Sequence, residues 1–205
     1  MKITSIKQQV KNPERVSISV DGKYEFSLSL DELVKYQLKN NQELDTGDIK
    51  KYKKISADGK LRARALEWLL NRPHSEREFR DYLYRKKAEP DQIQSLVDEF
   101  TDKGYLDNVK FAQWFTELHA RRGKSDRAIR AELFKKGIGR ETADESIPKN
   151  AGQETERLKT MIIKKSQLSR YKNDPDKLIR YLVGQGFSWQ SVKEQLASER
   201  PEENT

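Results

Sequence analysis

Ser125-Asp126-Arg127-Ala128-Ile129-Arg130-Ala131-Glu132-Leu133-Phe134-Lys135-Lys136-Gly137-Ile138 decides the fold, because its pattern occurs three times along the chain. Ser125 is a helix N-cap residue type, and Ile129 and Leu133 stand four residues apart, on one face of the helix that follows. The same order runs from Ser75 through Phe79 and Leu83, and again from Asp174 through Leu178 and Leu182. The caps are 50 and 49 residues apart. The two later copies also close alike, as Leu133-Phe134-Lys135-Lys136-Gly137-Ile138 and Leu182-Val183-Gly184-Gln185-Gly186-Phe187. Any amphipathic helix offers apolar pairs at this spacing, but three pairs with cap and exit in register read as a repeat. A period near 50 residues predicts tandem three-helix modules forming an elongated array.

Working outward, helical periodicity predicts helices near 60–71, 75–88, 90–102, 108–122, 125–136, 140–147, 153–171, 174–184 and 188–199. Ser75 with Glu78 fits a capping box, Ser188 is a further N-cap, and Asp174-Pro175 is a cap followed by Pro at the first helical position. Gly104, Gly137 and Gly186 stand where helix exits need a left-handed residue. The first 54 residues differ. Val16, Ile18 and Val20 alternate with serines, Asp21-Gly22 follows, and Tyr24, Phe26, Leu28 and Leu30 alternate with polar residues. Period-two runs around Asp-Gly predict a hairpin with a type I′ turn. A strand near Lys2–Lys7 is expected to pair with it, a short helix to start at Asp31, and a second helix to cover Ile49 and Tyr52. Ile55-Ser56-Ala57-Asp58-Gly59 reads as a joint. The expected fold is mainly α, with a β-rich N-terminal domain (1–54), modules at 60–104, 105–150 and 151–199, and a disordered tail (200–205).

The 205 residues include 41 Lys+Arg, 33 Asp+Glu and no Cys, giving a formal net charge of +8. Without Cys there are no disulfides, thiolate metal sites or cysteine nucleophiles. His74 and His119 lack further ligands at metal spacing, and the carboxylates lie scattered among cations with no compact cluster for two-metal chemistry. Gly123-Lys124-Ser125 imitates the end of a P-loop, but Leu118 holds the position of the required first Gly, and the preceding segment reads as helix. No catalytic residue, cofactor or metal is therefore expected. No apolar run spans a bilayer and the N-terminus lacks a signal-peptide core, so a cytoplasmic, membrane-free protein is expected.

The basic excess is uneven. Residues 121–136 carry seven cations, Arg121, Arg122, Lys124, Arg127, Arg130, Lys135 and Lys136, against Asp126 and Glu132. On a helix, Arg127, Arg130 and Phe134 fall roughly opposite Ile129 and Leu133. An aromatic beside arginines can stack on a base or dock on a protein. Equally, Phe134 can pack against a neighbouring module while the arginines stay solvated. Arg85-Lys86-Lys87 and Lys164-Lys165 are smaller clusters.

Ala65-Leu66-Glu67-Trp68-Leu69-Leu70-Asn71-Arg72-Pro73-His74-Ser75-Glu76-Arg77-Glu78-Phe79 resembles the opening motif of the RecX regulators. Gly104-Tyr105-Leu106-Asp107-Asn108 and Phe111-Ala112-Gln113-Trp114 are similar to that family's central signature. Arg122-Gly123-Lys124-Ser125 and Glu132 to Ile138 continue the pattern, and Lys177 to Leu182 with Gly186-Phe187-Ser188 resembles its third module. The resemblance runs in order over about residues 60–198, and the β-rich head resembles the extension of longer members. Asn108 stands where a second Asp is common, and Asn71-Arg72-Pro73 varies an Arg-rich turn.

The resemblance implies a non-enzymatic modulator of the RecA recombinase. Such a protein would bind RecA and its filaments on single-stranded DNA, mostly restraining filament extension, ATP hydrolysis, strand exchange and repressor cleavage in DNA repair and the SOS response. A monomer with weak, sequence-independent binding to single- or double-stranded DNA is expected. The residues expected to meet RecA or the bound strand are Arg121, Arg122, Lys124, Arg127 and Arg130, supported by Phe134, Lys135 and Lys136. Trp68, Leu83, Trp114, Leu133 and Leu182 are assigned to cores. The alternative is an independent DNA-binding protein of helix-turn-helix type acting as a transcription factor, with base preference and a steep salt dependence. A cryptic nuclease is disfavoured by the missing acidic constellation.

Overall fold

The structure is a computed structural model; it describes residues 1–148, 151–172 and 174–198. The tail at 200–205 and the last residue of the helix expected over 188–199 lie outside them. The chain forms two compact units, Met1–Asn71 and Arg72–Thr205.

In the first unit, β1 (Ile3–Gln8), β2 (Arg15–Val20) and β3 (Lys23–Ser29) form an antiparallel sheet in sequence order. Asp21 (φ 49°) and Gly22 (φ 82°) make the expected turn, with both central residues left-handed. The pairing Ile18↔Phe26 is followed by Ser19↔Tyr24, so Glu25 is an extra residue on β3. This bulge turns Tyr24 out of the alternation that buries Phe26 and Leu28, and leaves it exposed. The buried face holds Ile3, Val16, Ile18, Phe26 and Leu28, and such side chains each contribute roughly 1.5–3 kcal/mol when fully buried.

Two readings of this region are corrected. The short helix α1 (Leu30–Lys35) is capped by Ser29, not Asp31: Ser29 Oγ accepts from Glu32 N at 3.1 Å, and Glu32 Oε2 accepts from Ser29 N at 2.7 Å. A complete box two residues earlier satisfies two amide donors that Asp31 would leave open. The joint at 55–59 is helical. One 25-residue helix, α2 (Thr46–Leu70), starts at the Asp45–Asp48 capping box and runs through it. A mid-helix Gly costs about 1 kcal/mol against Ala, and packing overrides that cost. Ser56 Oγ accepts from the buried Ser27 amide at 3.2 Å, fastening the helix to β3. A Cβ on Gly59 would stand 3.0 Å from Glu32 Oε1 and 3.4 Å from Arg15 Nη1.

The second unit is helical: α3 (Glu76–Arg85), α4 (Pro90–Asp102), α5 (Asn108–Arg121), α6 (Asp126–Lys135), α7 (Arg140–Ser146), α8 (Ala151–Ser166), α9 (Ser169–Lys172), α10 (Pro175–Gly184) and α11 (Trp189–Ser198). The expected helix over 153–171 breaks at Gln167-Leu168 into α8 and α9. Ile129 and Leu133 pack with Phe111, Phe115 and Ala143, and Leu178 and Leu182 with Leu158, Ile162 and Val192. Leu83, Leu133 and Leu182 are fully buried as expected. Trp68 and Trp114 are only half-buried. Trp114 lies at the edge of its core, with the Arg72 guanidinium 5.0 Å from its ring centre, because the wide indole ring leaves one face for a cation.

The repeat extends to the junctions. The first amide of α3 donates to Asn108 Oδ1 at 3.0 Å, and the first amide of α6 donates to Glu154 Oε1 at 2.9 Å. Each is a free amide at a helix start satisfied by the helix that opens the next repeat. The exits dock likewise. A Cβ on Gly137 (φ 80°) would stand 2.9 Å from Arg77 Cβ, and one on Gly186 (φ 99°) 2.5 Å from Ala128 Cβ. Both glycines are therefore fixed twice, by the left-handed exit and by the helix beneath.

Candidate interaction surface

The cation cluster is built on the end of α5, the Gly123 turn and α6. Asp126, Ile129, Leu133 and Ala143 fix the inner side of α6, so the residues at 127, 131, 134 and 135 face outward and are exposed. Phe134 is 43% exposed: it does not pack under a neighbouring repeat. Arg127 is exposed and donates from Nε to Gly186 O at 3.2 Å. Arg121 and Arg122 are exposed at the end of α5, with Arg121 in a loose pair with Glu117 at 3.6 Å.

The other three cations are engaged within the protein. Arg130 Nε donates to Asp144 Oδ1 at 2.6 Å, across from α7. This guanidinium holds the Asp144 carboxyl below its usual range. Lys124 pairs with Glu132. Burial, the largest single effect, pushes Glu132 upward, but the Lys124 hydrogen bond and charge, with the His119 and Lys135 charges, together outweigh it and the carboxyl titrates low. Lys136 Nζ reaches back to Glu78 Oε1 at 2.7 Å. Of the eight candidates, the surface thus brings together Arg127, Phe134 and Lys135, with Arg121 and Arg122 beyond the helix start, and withdraws Lys124, Arg130 and Lys136 into ion pairs.

Glu78 corrects the expected capping box. Ser75 Oγ accepts from Glu78 N at 3.1 Å, but the Glu78 carboxylate does not return to the cap. It accepts from Arg72 Nη1 at 3.0 Å, meets His74 Nδ1 at 3.2 Å, and takes Lys136. Burial raises this carboxyl, while the bonds to His74, Arg72 and Lys136 together hold it far below the ordinary carboxylate range. His74 is 4% exposed, a structural partner of Glu78. His119 stacks on Phe115 with ring centres 4.1 Å apart. Burial and then the Lys124 charge lower its pKa, against a smaller opposing effect of Glu132.

Sequence reasoning missed Tyr84. It is 57% exposed on α3 at the position that Phe134 holds on α6, with Arg77 and Arg85 exposed where α6 carries Arg127 and Lys135. The repeat itself carried the signal: adding 50 to each number relates the two faces. Among the described residues no group of three or more His, Asp or Glu stands close enough to hold a metal ion. Among these residues no helix is long and apolar enough to cross a membrane.

Two family models match: the regulatory protein RecX N-terminal domain over residues 1–45, and the RecX second three-helix domain over 107–147. Regulatory protein RecX of Listeria innocua is 32% identical over 198 residues, covering 94% of this chain and 74% of that protein. Regulatory protein RecX of Bacillus subtilis is 36% identical over 146 residues, covering 71% of this chain and 55% of that protein. A crystal structure of a regulatory protein RecX superposes with a TM-score of 0.67 at 23% identity, over 94% of this chain and 98% of that one. RecX from Lactobacillus salivarius gives 0.55 at 21% identity, over 69% and 95%. These two likenesses carry the fold: a mainly helical chain behind a small three-stranded sheet. With the sequence identity over nearly its whole length, the chain belongs to the RecX family of regulatory proteins.

Proposed function

We propose that this chain regulates the RecA recombinase without catalysis, by lying against RecA filaments on single-stranded DNA and restraining their growth and ATP hydrolysis. Family membership supports the partner. The observation that carries the surface is the outer face of α6, where Arg127, Phe134 and Lys135 stand exposed together, repeated on α3 as Arg77, Tyr84 and Arg85. A polymer offers the same acidic and apolar features at a fixed spacing, and a repeated surface can meet them more than once with the gain of a second tethered contact. The reading takes the modules to run over 60–104, 105–150 and 151–199, with α3 and α6 as their contact helices. Lys124, Arg130 and Lys136 shape that surface through their ion pairs, and the direct contacts fall to the exposed residues.

The test is RecA's single-stranded-DNA-dependent ATP hydrolysis, with this protein titrated in well below RecA. A fall at sub-stoichiometric amounts is expected, weakened in R127A/F134A/K135A while its circular dichroism stays that of the parent. Undiminished hydrolysis at equimolar protein overturns the reading. Binding to one preferred duplex without RecA would put the transcription-factor alternative in its place.

A further inference from the structure

The continuity of α2 has a consequence for charge. Its 25 residues hold seven cations, Lys50, Lys51, Lys53, Lys54, Lys60, Arg62 and Arg64, against Asp48, Asp58 and Glu67. With a joint at 55–59 these would be two unrelated groups. On one helix, Lys50, Lys54, Ala57, Lys60 and Arg64 follow one another at steps of three and four residues, which places them on one line. All five are exposed; Tyr52 is buried on the far side, and Ile49 and Ser56 along one edge of the stripe, Ser56 one turn before Lys60. Lys50, Lys54 and Lys60 make no ion pair among the described residues. Lys53, beside the line, is paired with Glu25, and Lys51 lies over the rings of Tyr36 and Tyr52. Asp58, half-buried, stands four residues after Lys54 and borders the line on one edge, and Glu67 ends it.

We infer that this stripe is a binding site for the phosphodiester backbone of single-stranded DNA, held by the N-terminal unit independently of RecA. From Lys50 to Arg64 the line spans about 21 Å at ~1.5 Å per residue. It offers cations in series with Ala57 between them and Asp58 at one edge, so it can neutralise a backbone but has no aromatic or amide group to read a base. Its straightness selects the strand. Over about 21 Å, a duplex strand winds through more than half of its ~34 Å turn and carries its phosphates off the line; a single strand can straighten along it. An acidic protein surface lacks a matching linear array of charge, and is the competing outcome.

The experiment measures binding of the full chain, without RecA, to a labelled oligodeoxythymidylate over a series of salt concentrations, beside K50Q/K54Q/K60Q. Each phosphate contact contributes about 0.7 to the salt slope for single strands. The variant should therefore lose about 2 from the slope and roughly 100-fold in affinity at ~0.1 M salt. Its circular dichroism and melting should match the parent, because Gln keeps the helix propensity of Lys. K50R/K54R/K60R should bind as the parent does. Parental slope and affinity in the Gln variant overturn the site. So does a duplex of equal length bound as tightly and lost in the same variant, or absence of DNA binding with RecA binding weakened instead. RecA inhibition is scored separately, so either proposal can fail while the other stands.

Discussion

Two strongly basic helical stretches, α6 with its flanks and α2, carry seven cations each and differ in what those cations do. Around α6, Arg130, Lys124 and Lys136 close on Asp144, Glu132 and Glu78, so much of the charge holds helices together and the exposed remainder is gathered around Phe134. On α2, Lys50, Lys54 and Lys60 stand exposed along one stripe with no aromatic among them, while Lys51 and Lys53 are engaged beside it. Net charge is similar in the two places, yet in one the exposed cations gather around an aromatic and in the other they stand in a row without one. Charge counted along a sequence does not distinguish them; pairing and exposure do.

Glu78→Gln should break that contrast most strongly. It removes the carboxylate that Arg72, His74 and Lys136 share, and breaking a largely buried pair costs about 3 kcal/mol, read by urea unfolding. The pH dependence has a definite sign. A carboxyl titrating low in the folded state contributes stability that is present above its unfolded value of about 4.3 and lost as pH falls toward the folded one. The parent should lose stability on acidification below about pH 4 more steeply than E78Q, and equal slopes would show that the hub is not what holds the repeats.

Gly186→Ala should cost about 2 kcal/mol, since the new methyl meets Ala128 Cβ and Ser125 Oγ at a left-handed backbone. At the matching exit of α3 the residue is Lys87, also left-handed at φ 60° and exposed. Lys87→Gly should raise thermal stability by up to about 1 kcal/mol; a loss would mean that its side chain has a role of its own. Arg130→Gln should move the urea midpoint less than Gly186→Ala does, because its pair with Asp144 is surface-exposed and screened by solvent. Smallest of all, K54Q on α2 should leave stability within about 0.5 kcal/mol. A larger loss would mean that the row is structural, and the distinction between the two regions would fail.

Helix positions, caps and the repeat were legible because they rest on contacts within a turn or two: Ser75 and Ser125 cap as read, and the exits at Gly104, Gly137 and Gly186 are left-handed. The hairpin was legible for the same reason, down to the sign of φ at Asp21 and Gly22. The candidate surface was legible in part. Arg121, Arg122, Arg127 and Lys135 are exposed, and Phe134 takes the exposed one of its two readings, while Tyr84 went unseen although the repeat pointed to it.

What the sequence determined by itself was therefore much of the local grammar, namely the hairpin, most of the helix starts and exits in the second unit, and that three of those helices are related. What only the tertiary structure decided was whether α2 passes through Gly59 and which cations are free. Ser56 is held by Ser27, 29 residues away, and Lys136 by Glu78, 58 away. Propensity and capping act within a few residues, so they cannot register such partners. The free energy that overrides a helix breaker, or ties up a surface charge, comes from side chains brought together only by the fold.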